Sequence, residues 1–253
     1  MIPYRDENKT QRAAIVTGTV IALNVASWVF VQGAGATYSL AQSVCNFGLI
    51  PGELTQSLPP GTRFPMGEGL VCSTDPGRQV WNLITSMFLH GSWMHLIGNM
   101  WFLWIFGNNV EDSMGRLRFI SFYLLCGLAA AFAQIVANPS SVIPMVGASG
   151  AISGVMGAYL LLYPRVRVFA ILPLGFFFTT IAVPAWVMLG YWFLIQFVSG
   201  LVSFGSDKGG VAFWAHIGGF IAGVVLIKLF ARQEYVTAHR SQHYHPQRVL
   251  REW

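Results

Sequence analysis

Ser149 stands in Gly147-Ala148-Ser149-Gly150 at the mouth of a short apolar segment, and His216 lies inside a second one. A serine hydroxyl is a weak nucleophile until a neighbouring base takes its proton, and histidine is the commonest such base. No Asp or Glu falls inside any apolar stretch. The chemistry on offer is therefore acyl transfer by a Ser–His pair without the carboxylate of a triad. His95 and Asn99 are four residues apart and share a helix face. Both can donate hydrogen bonds to a developing oxyanion, and the backbone N–H of Ser149 at a helix N-terminus is a further donor. The plainer readings are a packed, hydrogen-bonded His216 and an interhelical polar clasp of His95 with Asn99. An ionisable residue inside a membrane segment is by default a functional candidate, and a serine at matching depth favours chemistry.

Rival hydrolytic chemistries lack their residues. A zinc metalloprotease wants His-Glu-x-x-His, whereas His90 and His95 are five apart with no glutamate between. An aspartyl enzyme of the membrane needs two membrane aspartates. A cysteine enzyme would have to use Cys126, which sits within a span at no helix N-terminus. A solute transporter wants polar groups along a full pathway, and here they gather in the outer half.

The elements that must position these residues are membrane helices. The 253 residues are 54% hydrophobic and only 10% charged, against about 25% charged in soluble domains. Apolar runs near 13–32, 92–109, 117–137, 149–163, 184–203 and 211–230 approach or exceed the length of a bilayer span. The first is too long for a signal peptide and stays as a span. With the N-terminus inside, twelve of the fifteen Lys and Arg fall in inside segments and only Arg63, Arg78 and Lys208 outside. That bias places both termini in the cytoplasm. It also accounts for the net charge of +5 without a nucleic acid partner.

Depth counting joins the serine to the histidine. Ser149 to Tyr163 is 15 residues, roughly 22 Å of helix in a hydrocarbon core of roughly 30 Å. Ser149 then lies about 8 Å below the outer surface, and His216, five residues into the last span, lies at the same level. The 138–147 segment must dip to reach Ser149, and irregular backbone at that depth requires a protein-buried or water-filled setting. Ser149, Ser153 and Gly157 on one span, and Ala215, Gly219 and Gly223 on the other, are small-residue stripes that allow close approach.

Other segments are less specific. The 33–91 loop is long, rich in Gly and Pro, and carries apolar patches at 47–50 and 80–81. It reads as a structured loop lying partly in the membrane interface. Its Cys45 and Cys72 either pair as a disulfide or remain two thiols. The 168–182 run is an interfacial connection or a re-entrant piece. The polar tail after 231, with His239, His243 and His245, reads as solvated and poorly ordered rather than as a metal site.

Gly147-Ala148-Ser149-Gly150, His95-x-x-x-Asn99 and Ala215-His216-Ile217-Gly218-Gly219-Phe220-Ile221-Ala222-Gly223 resemble the three signature segments of rhomboid intramembrane serine proteases. Gly107-Asn108-Asn109-Val110-Glu111 through Gly115 resembles the family's turn after the second span. The resemblance covers about residues 78–230 in order. It implies an all-α polytopic bundle of six transmembrane helices (1–232, then a cytoplasmic tail, 233–253) in the cell inner membrane. It further implies Ser149 as nucleophile, His216 as base, and His95, Asn99 and the Ser149 amide as the oxyanion hole. The fifth span, with Trp186, Trp192, Phe193 and Gln196, matches the region of lateral substrate entry. The activity implied is cleavage of single-span transmembrane proteins near the outer face, among membrane lipids and without a metal or organic cofactor. The alternative is a non-catalytic, pseudoprotease-like binder of membrane proteins. Two positions depart from the family pattern. Trp81-Asn82 stands for the frequent Trp-Arg, which puts the anchoring of the 33–91 loop in question. Ser153 stands where an aromatic often stacks on the base, so His216 needs another support, from Ser153 or from packing.

Overall fold

The computed structural model describes residues 1–174, 177–204 and 210–244. Lys208, His245 and two of the twelve inside basic residues, Arg248 and Arg251, lie outside them. Six helices follow the apolar runs: α1 (Ile15–Ala26, continued by a π turn, Ser27–Val31), α3 (Trp93–Met114), α4 (Arg116–Ala137), α5 (Ser149–Leu162), α6 (Ala185–Val202) and α7 (Phe213–Phe230). Between the first two lies α2 (Thr37–Phe47), and α8 (Gln233–Tyr244) follows the last. Three of them, α4, α6 and α7, are long and apolar enough to cross a membrane, and Ile15–Val31 and Ser149–Leu162 are shorter apolar helices. The chain is a membrane protein, mostly helical.

It is not all-α, and that expectation is corrected. Strands β4 (Arg167–Leu174) and β5 (Phe177–Pro184) form an antiparallel hairpin, with β1 (Ile2–Asp6) added along β4. The 168–182 run is thus a strand pair. Its β-branched and aromatic residues suit a pleated ribbon better than a helix, and β1 satisfies one of its edges. Asp6 at the end of β1 accepts from Tyr159 Oη on α5 and from Asn109 Nδ2 on α3 at 2.9 Å. The sheet therefore anchors the far end of the helix that carries Ser149.

The start of α1 shows how a distant carboxylate completes a helix. Its N-terminus has no local side-chain cap. Buried Glu111 on α3 accepts instead from Val16 N at 3.0 Å, Thr17 N at 2.8 Å and Thr17 Oγ1 at 2.8 Å. First-turn N–H groups lack intrahelical partners, and an anion there also meets the helix dipole. Glu111→Ala should cost about 2 kcal/mol, the scale of a lost cap with buried donors left unpaired. Glu111→Gln, which keeps one acceptor oxygen, should cost less. Melting temperatures in detergent check both.

α3 runs five residues past its apolar stretch and stops at Gly115, whose φ of 83° favours glycine and lets α4 begin at once. α5 is the central helix, and every residue from Gly150 to Tyr159 is buried. It meets α7 backbone to backbone. A Cβ on Gly219 would run into the Gly150 carbonyl, one on Gly223 into that of Gly154, and one on Gly157 into that of Phe220. The α7 stripe is the expected one. On α5 the contact face is Gly150, Gly154 and Gly157, one residue round from the expected Ser149 and Ser153, which leaves those two hydroxyls free of the backbone seam.

The 33–91 loop is structured. It holds α2, a hairpin of β2 (Arg63–Gly67) and β3 (Leu70–Ser73), and a Cys45–Cys72 disulfide joining α2 to β3. Buried Asn82 supplies the anchoring that was in question: its Nδ2 donates to Gly48 O at 2.9 Å and Asn46 O at 3.3 Å. Leu49 and Met145 exchange backbone hydrogen bonds of 3.0 and 2.8 Å, tying this loop to the segment that enters α5. Where a solvated tail is expected, Gln233–Tyr244 form α8. It is held by Arg232 N on Ser113 O at 2.9 Å, by Arg12 at 3.6 Å over the Tyr235 ring, and by buried Val236.

Candidate active site

The entry to α5 is built tightly. Gly147 has φ 126°, and a Cβ there would lie 2.8 Å from the Cε1 and Nε2 of His95. Its N–H donates to Ser86 O at 2.9 Å. Only glycine suits both the backbone and the space, and the turn delivers Ser149 as the first residue of α5 beside His95. No side chain caps α5, so its first N–H groups, that of Ser149 included, are available to a ligand.

Ser149 Oγ lies 2.8 Å from His216 Nε2. His216 Nδ1 lies 2.7 Å from Gln196 Oε1, on α6. The Trp192 ring, one turn earlier on α6, packs against the imidazole with centroids 5.8 Å apart. Ser153 does not support His216: its hydroxyl donates to Ser149 O at 2.6 Å and is fully buried. The missing aromatic of α5 is therefore replaced by one from α6. Gln196 is the only amide or charged residue in the 185–202 span. That oddity was legible in the sequence, although its partner was not.

His95 Nδ1 accepts from Gly91 N at 3.3 Å. A neutral imidazole has one donor and one acceptor, so Nε2 carries the proton. Asn99 is buried and its Nδ2 has no partner. A buried amide without a partner is costly, and here it is a donor held in reserve. Ser149, His216, His95 and Asn99 all line one cavity of about 1020 Å³. Gln134, missed in the sequence, lines it too and accepts from Ala215 N at 3.3 Å, fixing the start of α7 against α4. Among the described residues, no carboxylate lines it. The arrangement offers a nucleophile, a base and three donors in one solvent-reaching pocket.

A family model of the rhomboid domain matches residues 77–233. The chain belongs to the rhomboid family. The matched stretch contains every residue of the site and leaves out β1 and the disulfide. Rhomboid-like protease 5 of Toxoplasma gondii is 33% identical over 171 residues, 65% of this chain and 18% of that protein. Rhomboid protease GluP of Bacillus subtilis (strain 168) is 34% identical over 143 residues, 56% and 24% of the two chains. Rhomboid-like protein 11, chloroplastic, of Arabidopsis thaliana is 30% identical over 156 residues, 60% and 53%. This rhomboid thus spans about a fifth to a half of the length of these relatives.

Beside the rhomboid site, His90 is fully buried, with its backbone held by Gln32 through bonds of 2.7 and 2.8 Å. Its ring meets that of His95 edge-on at 5.0 Å. Burial first, and His95 second, push the His90 imidazole from 6.5 down to about 3. On acidification the unfolded chain takes up this proton and the folded one does not. The contribution to stability is whole above about pH 6.5 and is lost progressively as the pH falls toward about 3. The melting temperature should drop between pH 7 and pH 5, and His90→Phe should flatten that drop.

Proposed function

We propose that this rhomboid is an intramembrane serine endopeptidase that cleaves single-span transmembrane proteins near the extracytoplasmic face through a Ser149–His216 dyad. The 2.8 Å approach of Ser149 Oγ to His216 Nε2, inside a cavity with donors to spare, carries the reading. His216 Nε2 accepts the hydroxyl proton as Oγ attacks the scissile carbonyl carbon. The charge that develops on the carbonyl oxygen falls to the Ser149 N–H, His95 Nε2–H and Asn99 Nδ2. One such donor is typically worth about 10²–10³ in rate. His216 then returns the proton to the leaving amine, and water hydrolyses the acyl-enzyme by the same route in reverse. A carbonyl within an intact helix is hydrogen-bonded and shielded, so the substrate helix must unwind at the cleaved bond. No metal or organic cofactor takes part. Six spans with both termini cytoplasmic, in the cell inner membrane, fit the positive-inside distribution of Lys and Arg.

The test uses purified protein in detergent, a fluorophosphonate probe and a transmembrane substrate. The expected result is cleavage, with the phosphonylated peptide mapping to Ser149 by mass spectrometry. A folded protein that neither labels nor cleaves would leave the pseudoprotease-like scaffold as the better reading.

A further inference from the structure

We propose that Gln196 is a positioning residue for His216, so that a neutral amide on α6 does what the carboxylate of a triad does elsewhere. The inference rests on the hydrolase reading above and deepens it. It starts from the two ring nitrogens of His216. Nε2 faces Ser149 Oγ at 2.8 Å and must be an acceptor to take the serine proton. A neutral imidazole then carries its hydrogen on Nδ1. Nδ1 lies 2.7 Å from Gln196 Oε1, an acceptor-only oxygen. The amide oxygen thus selects the productive tautomer. An apolar neighbour would leave the tautomer free, and an amide N–H there would select the wrong one.

Among the described residues, no other group is placed to take this part. Ser153 has spent its hydroxyl on Ser149 O, and among the described residues no carboxylate lines the cavity. The second support, the Trp192 ring, stands four residues before Gln196 on the same face of α6. Both supports of the base therefore come from one helix, and the nucleophile and base come from two others. Of the residues of α6, Ala185, Met188, Leu189 and Gly200 are buried, so the helix is held near its ends and leans on α7 between them. The orientation of the base depends on that contact. During turnover the Ser149 proton passes through Nε2 to the leaving amine and a proton from water later passes through Nε2 back to Ser149, while the Nδ1 proton stays in its bond to Gln196 Oε1.

The experiment compares Gln196→Met, of similar shape without an acceptor, with Gln196→Glu, which keeps an acceptor oxygen at the same reach. Both are made in the full chain in detergent. The readouts are kcat and KM on a transmembrane substrate, the phosphonylation rate of Ser149 by a small fluorophosphonate, and the melting temperature. In Gln196→Met, kcat and the phosphonylation rate should fall together by about 100-fold, the scale of a misplaced reacting group, with KM unchanged. Gln196→Glu should recover most of that loss. Should the Met variant not fold, Gln196→Asn, which withdraws the oxygen by one methylene, must show the same fall. Wild-type kcat in a folded Met variant overturns the proposal, as does equal impairment of Met and Glu or a change confined to KM. Failure of the protease reading looks different: the folded wild-type protein would neither label nor cleave, or Ser149→Ala would cleave as well as wild type, whatever Gln196 does.

Discussion

Ser149→Ala should abolish fluorophosphonate labelling and lower the kcat of proteolysis by at least about 10⁴-fold. The hydroxyl is the group that His216 Nε2 faces, at 2.8 Å, and its loss removes the nucleophile that forms the acyl-enzyme. Donors and binding alone can sustain a residue of catalysis over water, so the expectation is a very low rate rather than a strict zero. His216→Ala should fall by a similar factor, because the hydroxyl without its base is again a poor nucleophile. Groups that act as a unit are strongly non-additive. The double variant should therefore be no slower than either single one. Independent, multiplying losses would show that the two residues do not act on one proton. The substrate should still bind to Ser149→Ala, so a pull-down that recovers uncleaved substrate separates lost chemistry from lost folding.

Gly219→Ala is expected to strike both stability and activity. A Cβ at Gly219 would run into the carbonyl oxygen of Gly150, which is backbone and cannot rotate aside. The α5 and α7 helices would have to separate, at a cost of about 2 kcal/mol or more for an overpacked seam. The separation acts where the chemistry is. Gly150 is the residue after Ser149, and Gly219 lies three residues, less than one turn, beyond His216. A shift of about 1 Å lengthens the Oγ–Nε2 approach and should lower kcat by about 100-fold even in the folded fraction. Gly190 on α6 has open space where its Cβ would stand and serves as the control: Gly190→Ala should leave activity unchanged. Melting temperature and cleavage rate, measured together, distinguish the two effects. A fully active Gly219→Ala at unchanged melting temperature would mean that the seam is looser than the backbone contact requires.

The helices were legible because a bilayer enforces a local signal. An apolar run long enough to cross it must satisfy its own backbone, so length and composition place the element. Ser149, His216, His95 and Asn99 were legible because each is a polar residue at a defined depth in such a run. The supports of the site were not. Gln196 stood out as a lone amide, but nothing in the sequence says that its oxygen meets His216 Nδ1. Glu111 lay just outside the apolar stretch that ends at 109, and its use as the cap of α1 joins residues 94 and 95 positions apart. The 167–184 hairpin escaped because its apolar run has no amphipathic period, and a strand is defined by a partner, here β1 from the far end of the chain.

The sequence by itself determined a membrane chain with a serine and a histidine at one level, no carboxylate within their apolar stretches and small residues to let their helices touch. Those properties are local, set by composition, spacing and helical rise. Only the tertiary structure decided which glycines form the seam, that Ser153 turns to the backbone, and that α6 presents an amide and an indole to the base. Each of these depends on the rotation of one helix against another. A turn of one residue position, about 100°, exchanges Ser149 for Gly150 at the contact.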